Sequence, residues 1–257
     1  MKITLNSTRL RKHSPLEFLL WLSLLIICDN LIAQNVSGGY DYPVKPGSDK
    51  WSTLNSETQR IEALQIPEQT LLNMTDEAYV QTLLNFPLYG YFTAFDNNKV
   101  GFDVMATRFN VFDKMCIKKK AGSILLEAYK DADMSGFKKH KNIYKSDLWT
   151  IKLNYLEILL SQKDIISSLN ENEKISLLQV ALDKYNSKKN NIDFSSFYGV
   201  SPTLSLLANY LDNLNGLENV SSGRKMKIHE FLSTSRIEDT ETITDIVEST
   251  ELYLKNK

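Results

Sequence analysis

The feature that most constrains the fold of this chain is the spacing of its apolar residues, which recur at steps of three and four along most of the sequence. Steps of this size place residues on one face of an α-helix, whereas a β-strand needs a sustained alternation that this chain lacks. The pattern predicts a single all-α domain over residues 56–257. We expect about eight to ten short helices packed as stacked antiparallel pairs, in a helical-repeat-like arrangement.

Polar residues that favour helix starts precede several of these apolar runs. Ser56, Thr75 and Asn97 each stand where a side-chain oxygen can accept a hydrogen bond from the first helical turn. Asn170 is followed three positions later by Glu173, which is the pattern of a capping box. We therefore expect helices to begin after these four cap positions.

Three longer segments carry more specific expectations. Residues 97–115 are predicted to form one helix, and its apolar stripe extends to Cys116, which we expect to be a small buried group. Residues 148–160 are apolar on two faces, which predicts a central helix covered on both sides. Ser201-Pro202 has the cap-then-proline order that opens a helix.

Residues 34–55 are rich in proline and glycine, with Pro43 and Pro46 at their centre. Proline fixes φ and disfavours helix in the residue before it. We therefore predict an extended amino-terminal strap, whose aromatic residues pack on the helical body.

Residues 1–33 have the order of a secretory signal, with a basic start, an apolar run from Phe18 to Ile27, and Ala33 at the expected cut. The run is shorter than the roughly 20 apolar residues that span a bilayer. We expect cleavage after about Ala33, a periplasmic or secreted product, and no membrane span after cleavage. A retained anchor and a lipoprotein attached at Cys28 remain open alternatives.

The charge and cysteine content exclude several classes of protein. The formal net charge is −1 with both signs mixed, so nothing attracts nucleic acid over long range. The basic runs at 118–120 and 138–141 are interpreted as solvated surface. Cys28 and Cys116 are the two cysteines, so removal of the leader leaves no intramolecular disulfide.

Several short motifs share a resemblance to known proteins. They are Tyr42-Pro43-x-x-Pro46-Gly47 leading to Trp51, Ile66-Pro67, and Asn85-Phe86-Pro87-Leu88. Over residues 42–129 the chain resembles a family of uncharacterised exported bacterial proteins with a Tyr-Pro-x-x-Pro-Gly lead-in, although Phe86 stands where that family has Tyr. The resemblance implies Bacteroidetes-type export and an all-helical architecture, and it brings no known activity.

Motifs for cofactor, metal or nucleophile chemistry are missing from the sequence. There is no His-x-x-x-His or cysteine pair for zinc, no Gly-x-Ser-x-Gly element, and no glycine-rich phosphate loop. We therefore predict no cofactor, no metal site and no catalytic residue.

Six residues are candidates for ligand binding. They are either aromatic residues that we expect at the surface or charged residues within apolar helices. They are Tyr42, Trp51, Tyr89, Tyr91, Arg108 and Glu157. For Glu157 the competing interpretation is an ion pair with Lys152 or Lys163, or a solvent-facing edge. For Arg108 it is a structural ion pair.

The sequence favours an exported, non-catalytic helical binding or scaffold protein, whose partner is an unknown protein or glycan outside the cytoplasm. The alternative is a carboxylate-dependent hydrolase acting on glycans or peptides, since two acids at the right separation, near Glu157 or Asp103, would suffice.

Overall fold

The computed structural model describes residues 38–95, 97–132, 143–189, 197–236 and 238–257, without the side chains of residues 143–148 and 197–198. These residues belong to one compact unit, Ser37–Lys257. The predicted signal, Cys28, the start of the strap and the basic run at 138–141 lie outside the described residues and stay predictions. Among the described helices, none has both the length and the apolar character needed to cross a bilayer.

The all-helical prediction is confirmed: the described ranges contain twelve α-helices, two 3₁₀-helices and no strand. The count exceeds the predicted eight to ten because the short helices at Asp49 and Lys163 were not foreseen. In chain order they are α1 (Asp49–Ser52), α2 (Glu57–Ala63), α3 (Glu68–Asn73), α4 (Asp76–Leu84), a first 3₁₀-helix (Tyr91–Ala94), α5 (Asn98–Arg108), a second 3₁₀-helix (Asn110–Ile117), α6 (Ala121–Asp131), α7 (Ile143–Leu160), α8 (Lys163–Ser168), α9 (Glu171–Lys189), α10 (Phe197–Asn213), α11 (Ser222–Thr234) and α12 (Thr240–Lys255).

The predicted caps are confirmed. The side chains of Ser56, Thr75 and Asn97 accept hydrogen bonds from the backbone N–H groups of Gln59, Ala78 and Val100. Before α9, the Asn170 N–H donates to Glu173 Oε2 at 2.9 Å and the Glu173 N–H donates to Asn170 Oδ1 at 3.0 Å. This reciprocal pair is the capping box that the sequence indicated.

The predicted single helix over 97–115 is wrong, because the chain leaves the α-helix at Phe109 (φ −123°, ψ 118°). Side-chain bonds from the segment before α3 hold the backbone there. The Asn110 N–H donates to Gln65 Oε1 at 3.1 Å. The Asn110 side-chain amide also donates to the Ile66 carbonyl at 2.7 Å and accepts from the Ile66 N–H at 3.0 Å. The chain then continues as a 3₁₀-helix with three residues per turn.

The change of helix type also overturns the prediction that Cys116 is buried. With three residues per turn, Phe112, Met115 and Lys118 fall on the buried side of the second 3₁₀-helix. Cys116 lies one position out of that phase and is exposed.

Helices α7 and α10 lie at the centre of the packing. Helix α7 contacts α5, α6, α8 and α10, and α10 contacts α7, α9, α11 and α12. The prediction that both faces of α7 are covered is confirmed, because its residues from Leu153 to Leu160 are all buried. One continuous apolar core therefore extends across both helices.

The start of α10 differs from the prediction. The helix begins at Phe197, and Pro202 lies inside it instead of at its first turn. A proline there removes one helical hydrogen bond. The neighbouring Ser201 and Thr203 are buried at 2% and 0% exposure, so packing against the other helices keeps the segment helical.

The strap packs on the helical body as predicted, although it is not extended throughout, because Ser48 caps the short helix α1. Tyr42 is 2% exposed and its ring meets the edge of Phe86 at 6.1 Å between centroids. The Tyr40 N–H donates to Thr82 Oγ1 on α4 at 2.8 Å. Gly39 adopts φ +88°, and a Cβ there would lie 2.9 Å from the Thr82 backbone nitrogen. A glycine is therefore needed at this close approach.

Candidate functional site

Three of the six predicted site residues contact side chains of helix α2. The Arg108 guanidinium forms an ion pair with Glu57 and donates to the Tyr91 hydroxyl at 2.6 Å. The Arg60 guanidinium lies over the Trp51 ring, 5.9 Å from its centroid. Glu57 and Arg60 are three residues apart and so share a face of α2. We call these five residues the α2 surface cluster.

The other three predicted residues lie elsewhere. Tyr42 is in the core, and Tyr89 is half-buried with its ring 6.1 Å from that of Tyr155. Glu157 has no exposed surface. The structure therefore does not assemble the six residues into one site, and their ligand-binding roles stay predictions.

Glu157 forms a buried ion pair with a partner that sequence reasoning missed. We expected Lys152 or Lys163, both near Glu157 in the chain, but Oε2 accepts from Lys188 Nζ on α9 at 2.8 Å. Both side chains are 0% exposed. Nothing local in the sequence marks Lys188, because the pairing depends on how α9 packs near α7.

Tyr129, Thr203 and Asn154 contact this ion pair. We call the five buried residues Glu157, Lys188, Tyr129, Thr203 and Asn154 the interior polar cluster. The hydroxyls of Tyr129 and Thr203 donate to Glu157 Oε1 at 2.8 and 2.9 Å. Lys188 Nζ also donates to Thr203 Oγ1 at 2.8 Å and to Asn154 Oδ1 at 3.3 Å. Every charge in the cluster is thus hydrogen-bonded, as a buried charge must be.

Burial shifts the titration of the cluster. Removal from water raises the pKa of the Tyr129 phenol well above its ordinary value, and the negative charge of Glu157 adds to this effect. Burial lowers the pKa of Lys188, and the attraction to Glu157 opposes that shift. The interior therefore weakens the preference of Lys188 for its charged form.

A cleft of about 250 Å³ is lined by residues of α5, α7, α8, α10 and α11. We call it the polar cleft. Phe102, Ile158, Pro202 and Leu232 provide its apolar surface. Its polar lining includes Lys99, Asp103, Gln162, Lys163, Ser205 and Asn209.

Two amide groups of the polar cleft are each held by the backbone carbonyl four residues earlier in the chain. Asn209 Nδ2 donates to the Ser205 carbonyl at 2.9 Å, and Gln162 Nε2 donates to the Ile158 carbonyl at 2.7 Å. Each amide oxygen has no protein donor within the described part of the chain. Because the amide nitrogens are anchored, these oxygens are acceptors with fixed directions, which lowers the entropy cost of binding.

Charged groups lie beside these amides. Lys99 Nζ donates to Asp103 Oδ2 at 2.6 Å across one turn of α5. Asp103 is the single carboxylate among the lining residues of the cleft. Within the described ranges, no group of three or more His, Cys, Asp or Glu side chains is placed to hold a metal ion.

Sequence reasoning missed the polar cleft, although one signal was present. Ser201, Ser205 and Asn209 recur at four-residue steps in α10, opposite the buried leucines of the same helix. Such spacing puts the three on one face of α10. A polar stripe on a helix whose other faces are apolar could have indicated that this face of α10 lines a cleft open to solvent.

The comparisons with known proteins found no relative. No family model, no curated protein and no solved structure matches this chain. The resemblance of residues 42–129 to exported bacterial proteins therefore stays a prediction.

Proposed function

We propose that this chain is an exported, non-catalytic binding protein that holds one sugar unit of a glycan in the polar cleft. The observation that carries the proposal is the pair of anchored amide oxygens, on Gln162 and Asn209, beside an apolar surface. Sugars present hydroxyl donors around an apolar ring, so fixed acceptors and an apolar surface suit them. The volume of about 250 Å³ is below the range of drug-sized sites, which favours a single ring.

The carboxylates of the chain support binding over hydrolysis. Glycosidases of the common type need two carboxyl groups, about 5–10 Å apart, on either side of the scissile bond. The polar cleft provides Asp103 alone, and Lys99 is paired with it. Glu157 is enclosed in the interior polar cluster, where Tyr129, Thr203 and Lys188 use its oxygens.

Export is the part of the proposal that rests on sequence alone. The basic start, apolar run and Ala33 of the leader support it. Expression in a bacterial host, followed by fractionation and amino-terminal sequencing, should recover a periplasmic or medium product that begins near Gln34. A full-length product in the cytosol would contradict export.

The binding proposal is tested with a panel of monosaccharides and disaccharides, using saturation-transfer NMR and then titration calorimetry. Asn209→Ala and Gln162→Ala each remove one fixed acceptor, and we expect each to weaken the best sugar about tenfold, the size of one good hydrogen bond. Asn73→Ala is the matched control, because Asn73 makes a similar helix-surface amide contact on α3, with Gln69.

Two outcomes would contradict this proposal. Either no sugar binds, or both cleft variants bind as the unaltered protein does. Release of reducing ends that Asp103→Asn abolishes would instead establish the hydrolase.

A further inference from the structure

The interior polar cluster places an amine, a carboxamide and a carboxylate side by side. Lys188 Nζ lies 3.3 Å from Asn154 Oδ1 and 2.8 Å from Glu157 Oε2. The exposed fractions of the three residues are 0%, 5% and 0%. We propose that Lys188 and Asn154 join spontaneously as an intramolecular isopeptide bond, with Glu157 as the acid–base catalyst.

The amine must be neutral to act as a nucleophile. Burial makes the neutral form of Lys188 accessible, because desolvation lowers its pKa. Desolvation is one of the known ways to activate a lysine side chain. Glu157 Oε2 accepts the proton along the existing 2.8 Å hydrogen bond. The same pair thus changes from two buried charges to a neutral amine and a neutral carboxylic acid.

The reaction is an amide exchange that needs no oxidant and no other reactant. Lys188 Nζ attacks Cγ of Asn154, the carbon bonded to the oxygen that it already contacts, and Glu157 gives its proton to that oxygen. As the tetrahedral centre collapses, Glu157 moves a proton from Nζ to the departing nitrogen, and it then takes back the proton on the oxygen as the carbonyl forms again. The new Nζ–Cγ bond replaces the Cγ–Nδ2 bond, and one molecule of ammonia leaves.

Tyr129 and Thr203 act as positioning residues for this step. Their hydroxyls both donate to Glu157 Oε1, which leaves Oε2 directed at Lys188. Holding reacting groups in contact makes the step effectively unimolecular. The buried site also excludes water, which would otherwise compete for the activated carbonyl.

The product is favourable in this environment. Two buried charges carry a desolvation cost that good geometry only partly offsets. An amide beside a protonated Glu157 removes both charges, and departure of ammonia draws the reaction forward. The bond would tie α7 to α9 and close a loop from residue 154 to residue 188, whereas the described residues contain one cysteine and so no disulfide of their own.

A tryptic peptide map of the purified full chain tests the inference directly. Trypsin should release residues 153–163 joined to residues 185–189, because a modified Lys188 is no longer cut. We expect this branched peptide to replace the linear peptides 153–163 and 185–188, and to weigh one ammonia less than residues 153–163 and 185–189 taken together. The intact mass alone does not identify the cross-link, because an amino-terminal glutamine also loses one ammonia when it cyclises.

Variants separate the chemistry from the fold. Glu157→Gln keeps the shape and should slow cross-linking by about 10²–10⁴-fold, the usual contribution of general acid–base catalysis. Lys188→Arg should abolish the branched peptide, while Lys184→Arg, one turn earlier on α9, should keep it. If a variant does not fold, the peptide map of the unaltered protein is a sufficient test of the proposal. Linear peptides alone, or a branch through Glu157 that has lost water, would overturn the proposal.

Discussion

The molecule contains two ion pairs built to the same plan in opposite surroundings. In the α2 surface cluster, Arg108 pairs with Glu57 and a tyrosine hydroxyl, that of Tyr91, bonds both. In the interior polar cluster, Lys188 pairs with Glu157, and the Tyr129 hydroxyl bonds the carboxylate. The side chains of the outer pair are 34% and 65% exposed, whereas those of the inner pair are 0% exposed.

The difference shows how solvent decides what a pair of charges contributes. At the surface, water solvates each charge alone, so a pair is worth about 0–1 kcal/mol. In the interior, each charge depends on its protein partners, so the loss of one partner leaves a charge with a large desolvation penalty. The outer pair is therefore dispensable, while the inner one requires α6, α7, α9 and α10 to pack together correctly.

The largest effect that separates interior from surface is expected at alkaline pH. Burial raises the pKa of several described tyrosines, among them Tyr42, Tyr79, Tyr129, Tyr155 and Tyr210. In the unfolded chain they ionise near pH 10, so their contribution to stability is complete below that pH and is lost as the pH rises above it. Each should lower the free energy of unfolding by about 1.4 kcal/mol per pH unit.

Circular dichroism and phenolate absorbance, followed together above pH 10, check this prediction. The buried tyrosines should ionise in the same transition that removes the helical signal. Complete phenolate formation in a chain that is still helical would contradict the proposed role of burial.

Removal of the inner cation should have the next largest effect. In an Asn154→Ala background, where the proposed cross-link cannot form, Lys188→Met should lower the free energy of unfolding by about 3–5 kcal/mol, because it leaves Glu157 charged and unpaired. Urea denaturation measures the difference. Adding Glu157→Leu should restore most of the loss, and a triple variant no more stable than the double one would refute the explanation.

The two tyrosines provide the smallest and most closely matched comparison. Tyr129→Phe removes a donor to a buried carboxylate and should cost about 1.5–3 kcal/mol. Tyr91→Phe removes the equivalent hydroxyl at the surface and should change stability by less than about 0.5 kcal/mol. Thermal denaturation at low and high salt measures both, and equal effects of the two substitutions would show that burial is not the deciding variable.

The features that local sequence determines were predicted well. Ser56, Thr75 and Asn97 cap their helices because a cap needs only the next three residues. The two buried faces of α7 followed from the spacing of apolar residues within that helix. These elements required no knowledge of which helices are neighbours.

The features that depend on distant neighbours were not predicted. The helix break at Phe109 is held by Gln65, which lies more than forty positions earlier in the chain. Lys188 pairs with Glu157 across 31 positions, and no spacing rule connects them. The polar cleft draws its lining from five helices, so its residues became a site only through packing.

The buried ring of Tyr42 means that the helical part of the chain is not the whole folding unit. This ring enters the core from a segment that precedes every helix of the described chain, and it meets Phe86 there. A protease that cuts between Tyr42 and α1 would thus release a buried side chain from the core, and would not merely remove an exposed terminus. Such a cleavage would expose the apolar surface that the Tyr42 ring covers, and the cleaved protein would tend to aggregate.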